Sequence, residues 1–331
     1  MGFEVIKPGL LSTLQDEGRY GYRKYGVIVA GPMDRFAHRT ANLLVGNGYE
    51  AVALEMTLSG PTLVAQSDRL VAICGADMEA KVDGSLAPLW QPFVLRTGSE
   101  LQFQYAVEGC RAYLAVHGGF MAAEALGSHS TYLRAGMGGY EGRTLRVGDV
   151  LKMEKDESPI QLINAVDLRA RSVSPRIRPD YRDNLVVRIV KGKEASYFTP
   201  ESWSQLLSQS FQVTSQSDRM GYRLSSERKL ALTEGISYEM ISEAVACGTI
   251  QVPSSGQPIV LLADCQTTGG YPHIGHVISA DLPLVAQIKP GGMLQFQEVT
   301  HREAQEQLLL QAMDLKLLEI GMQTWFRGLK K

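Results

Sequence analysis

The chain has 331 residues, of which 44% are apolar, 21% charged and 8% aromatic, and its formal net charge is −2. That composition excludes a disordered chain, and the near-neutral balance offers no basic surface that would draw it onto nucleic acid. The four cysteines, Cys74, Cys110, Cys247 and Cys265, form no CxxC pair, so they are read as buried free thiols rather than as a zinc ribbon or a disulfide framework.

The first residues, MGFEVIKPGL, lack the charged-then-apolar order of a secretory leader. No apolar run approaches the roughly 20 residues needed to span a bilayer, so a cytoplasmic, membrane-free protein is expected. The segment QDEGRYGYR at 15–23 presents Arg19 and Arg23 from a glycine-rich loop, an arrangement suited to a carboxylate or phosphate; an ion pair with Asp16 would use the same residues. Next, GPMDRFAHRTANLLVGN at 31–47 carries apolar residues at near-helical spacing. Pro32 and Asp34 fall in its expected first turn, and Gly46-Asn47 in its end. His38 and Asn42, four apart, share a face of that helix, with no further ligand spacing to suggest a metal.

Short runs rich in Val, Ile, Leu and Tyr follow, among them GPTLVAQ at 60–66, RLVAICGA at 69–76 and GCRAYLAVHGGF at 109–120, and they read as strands. Three segments share a glycine turn followed by a strand start, at 96–103, 146–153 and 289–296, the signature of hairpin entries in a barrel or sandwich. Between 127 and 149 the chain combines Ser128, Ser130, Thr131, Arg134 and Arg143 with several glycines. Such a loop suits an anion cradle or a barrel corner, but it is neither a Walker A loop nor a dinucleotide fingerprint. The tetrapeptide VLKM at 150–153 lacks the first Met of a biotin acceptor, so no covalent biotin is expected on Lys152.

The stretch 166–183 is charged, holds Pro175 and Pro179, and fits no period; it divides the chain into an N-terminal domain at 1–165 and a C-terminal one at 184–300. A helix opening at Thr199-Pro200 is expected to turn Trp203, Leu206 and Leu207 inward. SQSDRMGYR at 215–223 echoes 15–23, with Arg219 and Arg223 in the places of Arg19 and Arg23, which suggests a duplication. The densest polar cluster lies at 248–277. There the apolar run PIVLLAD delivers Asp264, followed by Gln266, Thr267, Thr268, Gly269 and Tyr271, with Gln251 on a neighbouring segment. A turn using Asp and Gly for backbone reasons is the competing reading of those residues. His273 and His276, three apart, lack a third ligand. An amphipathic helix over 301–331 closes the chain.

Taken in order, TLQDEGRYGYRKYGVIVAGPMDRFAHRTANLLVGN, ALEMTLSGPTL, CGADMEAKVDG, GSHSTYLRAGMGGYEGRTLRVGDVL, TSQSDRMGYRL and GTIQVPSSGQPIVLLADCQTTGGYPHIGHVISADLPLVAQIKPGG resemble the allophanate hydrolase subunit 2, or biotin-dependent carboxyltransferase-like, family from about residue 10 to 297. The resemblance implies a mainly β fold with short helices, built as two cyclophilin-like β-barrel domains. It also implies a role as the C component of an ATP-dependent 5-oxoprolinase, inactive alone. Such a component works with the enzyme's B component, a kinase-inhibitor-like protein, and is linked functionally to its A component. Biotin-dependent urea or allophanate metabolism, and non-enzymatic antagonism of a kinase-inhibitor protein, are the family's other implied roles. Under the first reading Asp264, Arg219 and Gln251 are the expected catalytic residues. Arg19, Arg223, Thr267, Thr268, Gly269, Tyr271 and Arg134 are expected at substrate or phosphate. ATP and Mg²⁺ are expected to be shared with the B component, with Asp264 a possible Mg²⁺ contact.

Overall fold

The computed structural model describes residues 2–153, 168–182 and 184–329. By contacts the chain divides into two units, one made of Met1–Arg19, Asp34–Pro179 and Ala312–Lys331, the other of Tyr20–Met33 and Asp180–Gln311. The division is therefore not contiguous in sequence. The described part of the stretch read as a linker contains buried residues, Val173 and Tyr181, and the Val173 amide donates to the Trp90 carbonyl. Residues 166, 167 and 183 of that stretch lie outside the described residues.

The first unit contains β1 (Gly2–Lys7), β2 (Leu11–Gln15), β3 (Ala53–Thr57), β4 (Thr62–Ala65), β5 (Arg69–Asp77), β6 (Lys81–Val82), β7 (Ser85–Leu86), β8 (Pro92–Leu95), β9 (Glu100–Gln102), β10 (Glu108–Val116) and β11 (Val150–Lys152). These form a six-stranded sheet in the order β11-β1-β4-β9-β6-β7 and a five-stranded sheet in the order β2-β3-β10-β5-β8. One core joins them: Phe3, Val5 and Leu101 from the first sheet pack with Leu54, Ile73 and Leu114 from the second. β5 and β10 are buried along almost their whole length because the helix Arg35–Leu44 lies against them, and a sheet covered on both faces asks for continuous apolar runs. That helix is shorter than the 31–47 pattern suggested. Asp34 is its N-cap, accepting from the Ala37 amide at 2.9 Å, and Pro32 precedes the helix.

The second unit contains β12 (Leu185–Lys191), β13 (Phe211–Val213), β14 (Gly221–Ser225), β15 (Glu243–Ala244), β16 (Thr249–Gln251), β17 (Ile259–Leu261), β18 (Thr268–Gly269), β19 (His273–Val277) and β20 (Met293–Glu298). Seven of these close into a barrel, β12-β19-β16-β17-β14-β13-β20, and β15 pairs with β18 outside it. The closing pair β12–β20 is parallel, running from Leu185 opposite Leu294 to Ile189 opposite Glu298. Inside lie Val187, Phe211, Tyr222, Ile250, Val260, Ile274 and Phe296, with the Tyr222 hydroxyl donating to the Ile288 carbonyl at 3.0 Å. The helix Pro200–Ser208 starts on the Thr199 cap; Leu206 is buried, while Trp203 and Leu207 are half-buried against the barrel core. The mainly β architecture, with its short helices, matches the expectation. The three hairpin entries lead into β9, β11 and β20 through Gly98, Gly148 and Gly291, each at a positive φ that other residues adopt only with strain. The last element is a helix over His301–Leu329.

Candidate functional site

The 248–277 cluster of the sequence assembles in the second unit on the rim of the barrel. β17 ends at Leu261, and three residues later the Asp264 carboxylate meets Arg219 in a two-pronged pair, Nε and Nη2 each 2.9 Å from one oxygen. The Asp264 amide also donates to the Arg219 carbonyl, and Nη2 donates to the Gly31 carbonyl at 2.6 Å. Both side chains are buried. A planar guanidinium fork matches a carboxylate in this way and leaves little of either charge for a ligand. Asp264 and Arg219 therefore hold the start of the 265–271 loop. Arg23 braces the same loop from its other side by donating to the Val245 and Thr267 carbonyls.

Beyond that anchor a chain of polar side chains crosses the rim. Gln266 donates to Gln251 at 3.5 Å, and Gln251 Nε2 lies 3.4 Å from His273 Nε2. On its other side the His273 amide donates to Glu194 at 3.0 Å, and its Nδ1 lies 3.5 Å from the same carboxylate. Glu194 is buried, and Lys193 sits 3.8 Å from it. Gly269 passes so close to Gln251 that an added Cβ would stand 2.4 Å from Nε2, so a side chain there would displace the amide.

The histidines meet through a strand irregularity. Thr249 faces His276 and Ile250 faces Gly275, but Gln251 faces His273, so Ile274 is an extra residue on β19. A bulge of this kind resets the alternation of side chains, and His273 and His276 both reach one cavity of about 360 Å³, with Lys191, Lys193 and Thr249 also on its wall. Burial, and then the neighbouring His273, push the His276 imidazole below its ordinary range. His273 and Glu194 also line a second cavity of about 280 Å³, with Glu243, Gly269 and Tyr271 on its wall. The sequence offered His273 and His276 only as an incomplete metal pair and gave no sign of Glu194; Gly275 between the histidines was the one hint of an irregular strand.

The remaining expected residues are dispersed. Thr268 and Tyr271 are exposed at the loop, and Arg223 is exposed on β14. Arg19 and Arg134 belong to the first unit. Arg134 is exposed at the turn Leu133–Ala135, whereas Arg19 is fully buried and donates to the Ala125 and Ser130 carbonyls at 3.2 and 2.6 Å. Asp16, close to it in sequence, is a buried acceptor of Ser128, Ser130 and the His129 amide rather than a surface ion-pair partner. Three of the four cysteines are buried, and Cys247 is half-buried. Among the described residues no group of three or more His, Cys, Asp or Glu could hold a metal ion, and Asp264 already faces a guanidinium. Asp264, closed on that guanidinium, does not fit a Mg²⁺ contact. No described helix is long and apolar enough to cross a membrane.

Residues 25–298 match the family described as carboxyltransferase domain, subdomain A and B. The chain belongs to that family. This carboxyltransferase-family chain is 39% identical to the C component of the 5-oxoprolinase of Haemophilus influenzae, over 88% of its own length and 90% of that protein's. It is 36% identical to the corresponding 5-oxoprolinase component of Escherichia coli, over 91% and 92% of the two lengths. Among solved structures, the urea amidolyase of K. lactis superposes with a TM-score of 0.88 at 29% identity, covering 96% of this family member and 20% of the amidolyase.

Proposed function

We propose that this chain is the cytoplasmic C component of an ATP-dependent 5-oxoprolinase, working with the A and B components to open the lactam of 5-oxoproline to glutamate. The observation that carries this reading is the match along nearly the full length of two bacterial proteins named as 5-oxoprolinase components of that kind. A five-membered lactam is a poor electrophile. Transfer of a phosphoryl group from ATP to its amide oxygen creates an activated carbon; one water opens the ring, and a second releases phosphate. Catalysis of such steps rests on positioning and on charge placed where it develops.

Within this reading His273, held between Glu194 and Gln251, takes the proton from the attacking water. Thr267, Thr268, Gly269 and Tyr271 border the phosphate, and the Arg219–Asp264 pair positions the loop that carries them. ATP with its Mg²⁺ is shared with the B component. The test is reconstitution with the A and B components, followed by mass spectrometry for glutamate. Turnover is expected only with all three components present, and His273→Asn is expected to lower kcat by about 10²-fold or more while the complex still forms. Turnover by the purified chain alone, or an unchanged kcat in His273→Asn, refutes the assignment.

The superposition on a urea amidolyase favours a second reading, carboxyl transfer from biotin carried on another chain. Carboxylated product formed only with a biotinyl partner, and no glutamate, would select it.

A further inference from the structure

We propose that the open cavity lined by β12, β19 and the first turns of the C-terminal helix binds the carboxylate end of a small organic acid, with His276 and His301 as the groups that recognise it. The cavity holds about 360 Å³, within the range of small-molecule sites. Its wall carries Lys191, Lys193, His273, His276 and His301, and no aspartate or glutamate among the described residues that line it. Ile278 and Leu308 add an apolar surface for a hydrocarbon body. The start of the helix is capped by its own residues, the Thr300 amide donating to Glu303 and the Glu303 amide to Thr300, so recognition rests on side chains.

The charge inventory selects a monoanion. Lys191 lies 3.5 Å from Glu298, and Lys193 is bonded to Glu243 at 2.6 Å with Glu194 nearby. His273 has Glu194 beside it. Among the described residues His276 has the Thr249 hydroxyl at 3.4 Å and no carboxylate partner, and His301, on the exposed first turn, has none either. With both lysines matched, the charge left to gain is the proton that burial holds off His276. One carboxylate would restore that proton, whereas a dianionic phosphate would remain undercompensated.

The anion preference follows from the cavity, but the choice of 5-oxoproline as ligand rests on the function proposed above. Calorimetry and imidazole NMR on the full chain, with L-5-oxoproline, 2-pyrrolidinone and inorganic phosphate, test it. 5-Oxoproline is expected to bind, several-fold more tightly at about pH 6 than at about pH 8 because the bound anion favours the imidazolium. His276→Leu is expected to weaken it about tenfold or more, and the exposed His301→Ala several-fold. Pyrrolidinone, which lacks the carboxylate, is expected not to bind. No binding of 5-oxoproline, equal binding in both variants, or binding of phosphate alone overturns the inference. The reconstituted assay separates the two claims. Glutamate formation with an unchanged KM in both variants removes the carboxylate site and leaves the function standing. Histidine-dependent binding without any glutamate formation does the reverse.

Discussion

Arg19 and Arg219 occupy matching places in the two echoing segments, and each ends up buried, donating to main-chain carbonyls within its own unit. A guanidinium carries five donors in one plane, so it can brace a loop at several points at once. Arg219 differs in having Asp264 as a buried counter-ion, and removing one partner of such a pair leaves an uncompensated charge. Asp264→Ala is therefore expected to cost about 3–5 kcal/mol in urea unfolding, and the double variant Arg219→Met/Asp264→Leu less than the sum of the singles; a loss under about 1 kcal/mol would show the pair to be dispensable. Glu17 gives a pH signature. Burial pushes its carboxyl up, but the His38 imidazole 3.7 Å away and hydrogen bonds from Arg39 outweigh that and hold it at about 2, against an ordinary 4.5. A depressed folded-state value means stability that is complete above about pH 4.5 and lost as pH falls toward about 2. The unfolding free energy should fall across that window, and Glu17→Gln should flatten the slope; an unchanged slope would exclude Glu17 as a contributor.

At the scale of elements, the bulge in β19 and the close pass of β18 build the site. Gly269→Ala forces the Gln251 amide away from His273. Because the atom met is the mobile end of a side chain, the stability cost is expected to stay near 1 kcal/mol while kcat of the reconstituted complex falls about tenfold. An unaltered kcat in that variant would mean that Gln251 does not position His273. The C-terminal helix buries Leu315, Met322 and Trp325 while exposing Leu309, Met313 and Leu317. Trp325→Ala should cost about 3–5 kcal/mol in thermal unfolding, and Leu317→Gln, changing an exposed side chain, should stay within about 0.5 kcal/mol. The reverse ranking would show that the exposed side of the helix, not the buried one, carries its stability. Caps and turns such as Thr199-Pro200, Gly98 and Gly291 were legible in sequence because their energetics are settled within a few residues. The limits of the first helix were not, since Pro32 and Asp34 suit positions just before a helix as well as inside its first turn.

At the scale of the molecule, the proposed function predicts that deletion of this chain from its host impairs growth on 5-oxoproline, and that the wild-type chain restores it better than the His273→Asn variant. Equal restoration by both would remove His273 from the reaction. Composition and the spacing of apolar runs sufficed by themselves for a folded, strand-rich chain with glycine turns, because backbone preference and alternation are local properties. Ordered motifs along the chain sufficed for its family resemblance. Only the tertiary structure decided that Arg219 closes on Asp264, that β12 completes a barrel through β20, and that His273 and His276 share one cavity wall. Each depends on partners far apart in the chain and on strand register, where one extra residue turns a side chain to the opposite face.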